Sequence, residues 1–203
     1  MTKGRTFGLI AAIMAPLALW AGSADAAGSF MPTGNLTSQP IGHYELCRKL
    51  PAECKERTPA EAPVELTRQL WTEIVAINND INTRVLPRTD MEMWGKEEVW
   101  SYPGRYGDCE DYALEKRREL MQKGVPAGDL LMTVVRQQNG DGHAVLTVHT
   151  SLGDYILDNL EPRVLAWTDT KYQYLKRQSE TDSGEWVSVR DDRTTTVAVG
   201  SVQ

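Results

Sequence analysis

An α+β fold is predicted by three observations. Helical periodicity runs through residues 63–85, and a second helical stretch opens at Cys109 and stops at Gly124. The pattern then switches to short strand-like runs at 130–136, 143–149, 155–159 and 186–189, separated by turn residues. Helices followed by an antiparallel meander pack as helices on one sheet, not as a doubly wound chain. The composition fits this class: 203 residues, 41% apolar and 25% charged, an ordinary globular mixture. The formal charge of −6 argues against a nucleic-acid binder, which is marked by a basic face, and against a general binder of anionic membranes.

The first residues read as an address. Lys3 and Arg5 precede an apolar run over residues 7–20, and Ala24-Asp25-Ala26 then offers an A-x-A cleavage site. This is the three-part layout of a secretory signal peptide. The run is 14 residues long and contains Pro16, whereas a membrane span needs about 20 apolar residues. Residues 1–26 are therefore expected to be removed on export to a periplasmic or secreted location, leaving no membrane span. Their removal takes away Lys3, Arg5 and Asp25 and changes the charge to −7.

Residues 27–62 are expected to form a flexible lead-in with a short cysteine loop. The first part, to residue 43, is rich in Gly, Ser, Thr and Pro, which marks loops; His43 is expected to be solvated there. Cys47 and Cys54 are seven apart in CRKLPAEC. In an oxidising compartment a disulfide between them would close a short loop, worth about 2.5 kcal/mol by the chain-entropy estimate. Cys109 is then the odd cysteine, either an intermolecular partner or a reactive thiol.

The domain is expected over 63–190, with a polar tail at 191–203. Its first helix, 63–85, spaces Leu66, Leu70, Ile74, Ile77, Ile81 and Val85 by three or four, a single apolar face, and Pro87 stops it. Residues 86–107 read as irregular and aromatic-rich. Trp94, Trp100 and Tyr102 there would either bury core surface or line a groove. Asp108 is placed to cap the second helix, with Asp111 in its first turn, and Gly124 ends it. Asn139-Gly140 signals the turn between the first two strands.

Cys109, His143 and Asp158 form the constellation that carries chemistry. A cysteine at the first position of a helix meets the positive end of the macrodipole, which favours a thiolate. His143 opens a strand and Asp158 falls on the next one, close to opposition, where side chains reach each other. An imidazole so placed takes the thiol proton while the carboxylate orients the ring. Taken singly, each residue also fits a structural role, and their order alone leaves both readings open. Asp108, Glu110 and Asp111 flank the thiol and oppose its ionisation. A bound cation would relieve that conflict, and calcium favours such oxygen clusters. Zinc on Cys109, His143 and His149 lacks the close-set ligand pairs of structural sites. No P-loop or GxGxxG motif is present.

The stretch Tyr106-Gly107-Asp108-Cys109-Glu110-Asp111-Tyr112-Ala113 resembles the cysteine signature of the bacterial transglutaminase-like cysteine peptidases. Gly142-His143-Ala144-Val145-Leu146 and Leu157-Asp158-Asn159-Leu160 are similar to that family's His and Asp motifs in order and spacing, and Asn78 to Asn82 and the stretch from Trp94 to Trp100 add to the likeness. The resemblance covers about residues 63–178. It implies a papain-like core, with Cys109 as nucleophile, His143 as general base and Asp158 as orienting acid. The family's LapG-type periplasmic branch further implies calcium at Asp108, Glu110 and Asp111, a large surface adhesin as protein substrate, and an inner-membrane receptor as regulator. No organic cofactor is implied. The same triad serves acyl transfer in a transglutaminase or amidase, and a non-catalytic binding module is the remaining alternative.

Overall fold

The computed structural model describes residues 30–195 and Met1. The expected signal peptide and the chain beyond 195 lie outside the described residues. Nine strands are present among them: β1 (Thr33–Thr37), β2 (Leu86–Pro87), β3 (Tyr106–Gly107), β4 (Leu130–Arg136), β5 (Gly142–Thr150), β6 (Gly153–Leu157), β7 (Leu165–Ala166), β8 (Gln173–Gln178) and β9 (Trp186–Val189). The helices are α1 (Ile41–Lys49), α2 (Arg68–Arg84), α3 (Asp90–Trp94) and α4 (Cys109–Gln122). Seven strands form one antiparallel sheet in the order β1-β9-β8-β4-β5-β6-β7. β2 and β3 form a separate parallel pair. The fold is α+β.

α2 starts at Arg68, five residues later than its periodicity alone suggests, because the Thr67 side chain accepts the Leu70 N–H and caps it there. Its apolar face buries Leu70, Ile74, Ile77 and Ile81. α2 and α4 pack on each other, and α4 packs on β4 and β5. Leu130, Met132, Leu146 and Val148 complete this core on the helix side of the sheet. Val135, Val145, Ile156 and Tyr174 fill a second cluster with Met31, Trp167 and Val189. The alternation follows from the two-residue period of a strand. Ile74 and Ile81 are 0% exposed, and truncating either to Ala would cost about 2–5 kcal/mol.

The lead-in differs from the expectation of flexibility. Residues 33–37 pair with β9 and form an edge of the sheet, and 41–49 form α1. His43 is not solvated: it is 1% exposed, between the rings of Trp100 and Trp186. Gly42 permits this packing, since a Cβ there would lie 2.2 Å from the Trp100 ring. Cys47 and Cys54 form a disulfide. Trp100 is core, whereas Trp94 is exposed on α3. The third strand runs 153–157 rather than 155–159, so Asp158 stands just past its end. No helix among the described residues is long and apolar enough to cross a membrane.

Candidate active site

Three elements bring the site together. Cys109 is the first residue of α4, reached from β3 through Gly107 and Asp108. Gly107 has no room for a side chain: a Cβ would lie 2.9 Å from the Asp111 Cβ and 3.1 Å from Pro103. His143 is the second residue of β5. The β5–β6 register pairs Leu146 with Leu157, which sets Asp158 diagonally across from His143.

His143 Nε2 lies 2.8 Å from Asp158 Oδ1, and both side chains are buried. The same Oδ1 accepts the Leu160 N–H at 3.0 Å, and Oδ2 accepts the Tyr172 hydroxyl. Burial alone would raise the Asp158 carboxyl, but these hydrogen bonds outweigh it and hold its pKa below the usual range. The tyrosine ring also packs against the imidazole, with centroids 5.5 Å apart. Tyr172 carries no local sequence signal, and only the fold places it here. With Nε2 turned to Asp158, Nδ1 is the imidazole nitrogen left for a thiol. Cys109 and His143 line one cleft of about 400 Å³, which Trp100, Glu110 and Ala144 also line.

A family comparison bears on this arrangement. The family model of the bacterial transglutaminase-like cysteine proteinases matches residues 33–194. The chain belongs to that family. It is a cysteine peptidase by that membership. Among solved structures, Legionella pneumophila LapG in its calcium-bound form shares the fold at TM-score 0.50 and 22% identity, covering 64% of this chain and 75% of that one. A further LapG structure from the same organism, and an EGTA-treated one, each match at TM-score 0.49 and 22% identity, covering 63% of this chain and 72% or 74% of theirs. Comparison with curated proteins gives no match. The family match begins at residue 33, the first residue of β1.

The electrostatics of the proteinase turn on its acids. Burial raises the Cys109 thiol pKa, and the neighbouring Glu110 carboxylate raises it further; the Ala144 backbone N–H acts the other way. The thiol donates to Glu110 Oε2 at 3.0 Å. Burial and the Asp108 charge push Glu110 up to about 9. Burial pushes Asp111 up to about 7, against a hydrogen bond from the Ser101 N–H at 2.8 Å. Asp108 is raised too, by burial first and then by Asp90.

Asp90 is the residue that sequence reading missed. Its carboxylate joins those of Asp108 and Glu110, with one oxygen of each within 4.8 Å of the others. Asp111 is not part of that close group. Asp108 stands at the N-cap position of α4 but does not cap it; its Oδ2 accepts the Asp90 N–H at 3.1 Å instead. The signal for α3 was legible as Thr89-Asp90-Met91-Glu92, a capping box closed by Thr89 and Glu92. Asp90 Oδ1, Asp108 Oδ1 and Asp111 Oδ2 are buried without a hydrogen-bond partner. Uncompensated carboxylate oxygens at this density fit a hard cation with oxygen ligands. Cys109, His143 and His149 do not converge as a zinc site: His149 pairs with Asp154 at 2.6 Å.

Proposed function

We propose that this proteinase is an exported endopeptidase with Cys109 as nucleophile, His143 as general base and Asp158 as orienting acid. The observation that carries the reading is the His143–Asp158 bond on a cleft shared with the free thiol of Cys109. In the chemistry derived from it, the Cys109 thiol passes its proton to His143 Nδ1. The sulfur attacks the substrate carbonyl carbon, and the Cys109 backbone N–H, which at the first turn of α4 needs no intrahelical acceptor, faces the developing oxyanion. The C–N bond breaks as the imidazolium returns its proton to the leaving amine. Water, deprotonated by His143, then releases the acyl group. Asp158 holds the ring and stays ionised throughout.

Asp90, Asp108 and Glu110, whose carboxylate oxygens converge, are the residues to hold calcium, and the LapG structure named as calcium-bound supports that choice of ion. Bound there, calcium would neutralise the carboxylates that oppose the thiolate. The signal-like residues 1–26 support a periplasmic or secreted location. A surface adhesin as substrate and an inner-membrane receptor as regulator rest on the resemblance to the LapG-type branch.

The test is incubation of the full chain and of Cys109→Ala with a surface-protein extract, followed by mass spectrometry of peptide ends and of glutamine side chains. New N-termini that need Cys109 support endopeptidase action. Amine added to glutamine instead would replace it with acyl transfer. Neither product would leave a binding module.

A further inference from the structure

Asp158 and Tyr172 also form a wall of a second cleft, of about 490 Å³, that this chemistry leaves unused. The second cleft and the cleft of Cys109 have no lining residue in common. His143 joins them. It lines the cleft of Cys109, while its Nε2 bonds Asp158 at 2.8 Å and its ring packs on Tyr172.

The lining of the second cleft suits an uncharged peptide. Ile156 and Leu165 line it as partners across β6 and β7. Leu160 adds an apolar side chain that is 57% exposed. Gln137 and Gln138, from the turn after β4, bring side-chain amides that can bond a peptide backbone. The charges offer little to an ion. Glu161 and Arg163 bond each other twice at 2.8 Å, and Asp169 and Lys171 have opposite signs. The Asp158 oxygens already accept from His143, the Leu160 N–H and the Tyr172 hydroxyl. Apolar surface with a few polar groups at its edge is the usual make-up of a binding cleft.

The reaction decides which half of a substrate lies there. The acyl half stays on Cys109, in the cleft walled by Ile41 and Trp100. The leaving amine takes its proton from His143, so its nitrogen must come within hydrogen-bond reach of that ring. The chain behind the nitrogen therefore departs from His143, and the side chains in contact with the far side of that ring are Asp158 and Tyr172. An extended chain advances about 3.3–3.6 Å per residue, less than the length of an imidazole and a carboxylate in line. The second cleft is thus met by residues beyond the one that bears the amine.

We infer that the second cleft is a specificity subsite for the leaving half of the substrate, and that it takes an apolar side chain a few residues after the scissile bond onto Ile156, Leu160 and Leu165. This rests on the endopeptidase reading above. Leu165 touches the substrate there and not the reacting atoms.

The experiment is digestion of a peptide library by the full chain in millimolar calcium chloride. The library is made from a surface-protein extract by cleavage at lysine, and mass spectrometry follows each product over time. The native chain is expected to favour an apolar residue at one position after the cut. Leu165→Arg places a charge on the apolar surface. It is expected to lower kcat/KM about tenfold or more for peptides with that apolar residue, the worth of one apolar side chain in its pocket, and to leave the preference before the cut in place. A thermal melt and the rate of Cys109 alkylation by iodoacetamide accompany each chain. No preference after the cut in the native chain overturns the inference, and so does the same preference in folded Leu165→Arg. A loss spread equally over all peptides, with alkylation slowed to match, also overturns it, because Leu165 then acts on the triad. If Leu165→Arg does not fold, Leu160→Arg, at an exposed position, takes its place and is read by the same results. No cut by the native chain overturns the endopeptidase reading itself, and is seen before any variant is compared.

Discussion

Asp158 Oδ1 sits 2.8 Å from His143 Nε2 and also accepts the Leu160 N–H, so one oxygen both anchors its own loop and orients the imidazole. Asp158→Ala removes both functions. It is expected to lower Cys109-dependent turnover by about 100-fold or more, because the general base His143 loses the group that orients it. Asp158→Asn keeps Oδ1 as the acceptor for His143 and Leu160 but loses the charge and the oxygen that accepts the Tyr172 hydroxyl, so it should retain more activity than Asp158→Ala while falling below the native chain. Turnover measured beside circular dichroism checks the order of the two.

Tyr172→Phe deletes the hydroxyl that donates to Asp158 Oδ2 and leaves the ring packing on His143 in place. One hydrogen bond to a charged acceptor is worth about 1.5–3 kcal/mol in place, but only the part felt through Asp158 reaches catalysis. The expected loss is therefore within about tenfold. The acid limb of the pH–rate profile should also move up, because Asp158 loses one of the bonds that hold its pKa down. An unshifted limb would remove Tyr172 from the site.

Calcium should stabilise the protein through the acid cluster. At about 100 times its Kd, a ligand that binds only the folded state adds about 2.7 kcal/mol. For a domain of this size that raises Tm by about 5–10 °C. Asp90→Asn combined with Asp108→Asn should abolish the shift, and EGTA should reverse it. Differential scanning fluorimetry with both reagents reads this directly, and magnesium serves as the control.

His43 sets an acid limit on stability. Burial, and then the charge of Arg117, lower its pKa from 6.5 to about 4. Its Nδ1 accepts the Trp186 indole N–H at 3.2 Å, next to the Cys47–Cys54 bridge. A base whose folded pKa is depressed contributes full stability above pH 6.5 and loses it as pH falls toward 4. The loss is about 3 kcal/mol. Urea unfolding at pH 7 and pH 4 should show it in the native chain, and much less of it in His43→Gln.

The parts of the molecule legible in the sequence were those with local signatures. The thiol at a helix start, the strand-opening His143 and the turn-bounded meander each follow from a few neighbouring residues. Asp158 was legible because hairpin register is set by a short turn. Asp90 was not: the Thr89–Glu92 capping box marks the start of α3, but Asp90 stands 18 residues before Asp108 and only tertiary packing joins the two carboxylates. Residues 33–37 read as a loop because pairing with β9 is a contact across the whole chain and leaves no local mark. Asp108 shows the opposite failure. Its position at the helix start was right, but its side chain turns to the Asp90 N–H rather than to its own helix.

The most direct test of the site is the pH dependence of Cys109 alkylation in native protein and His143→Ala, each with calcium and with EGTA. The geometry predicts fast labelling with a low apparent pKa in calcium. That labelling should slow in EGTA, where Glu110 and Asp108 oppose the thiolate, and should be lost in His143→Ala. Slow labelling with the pKa of an ordinary thiol in native protein, unchanged by calcium or by His143→Ala, would contradict an activated Cys109.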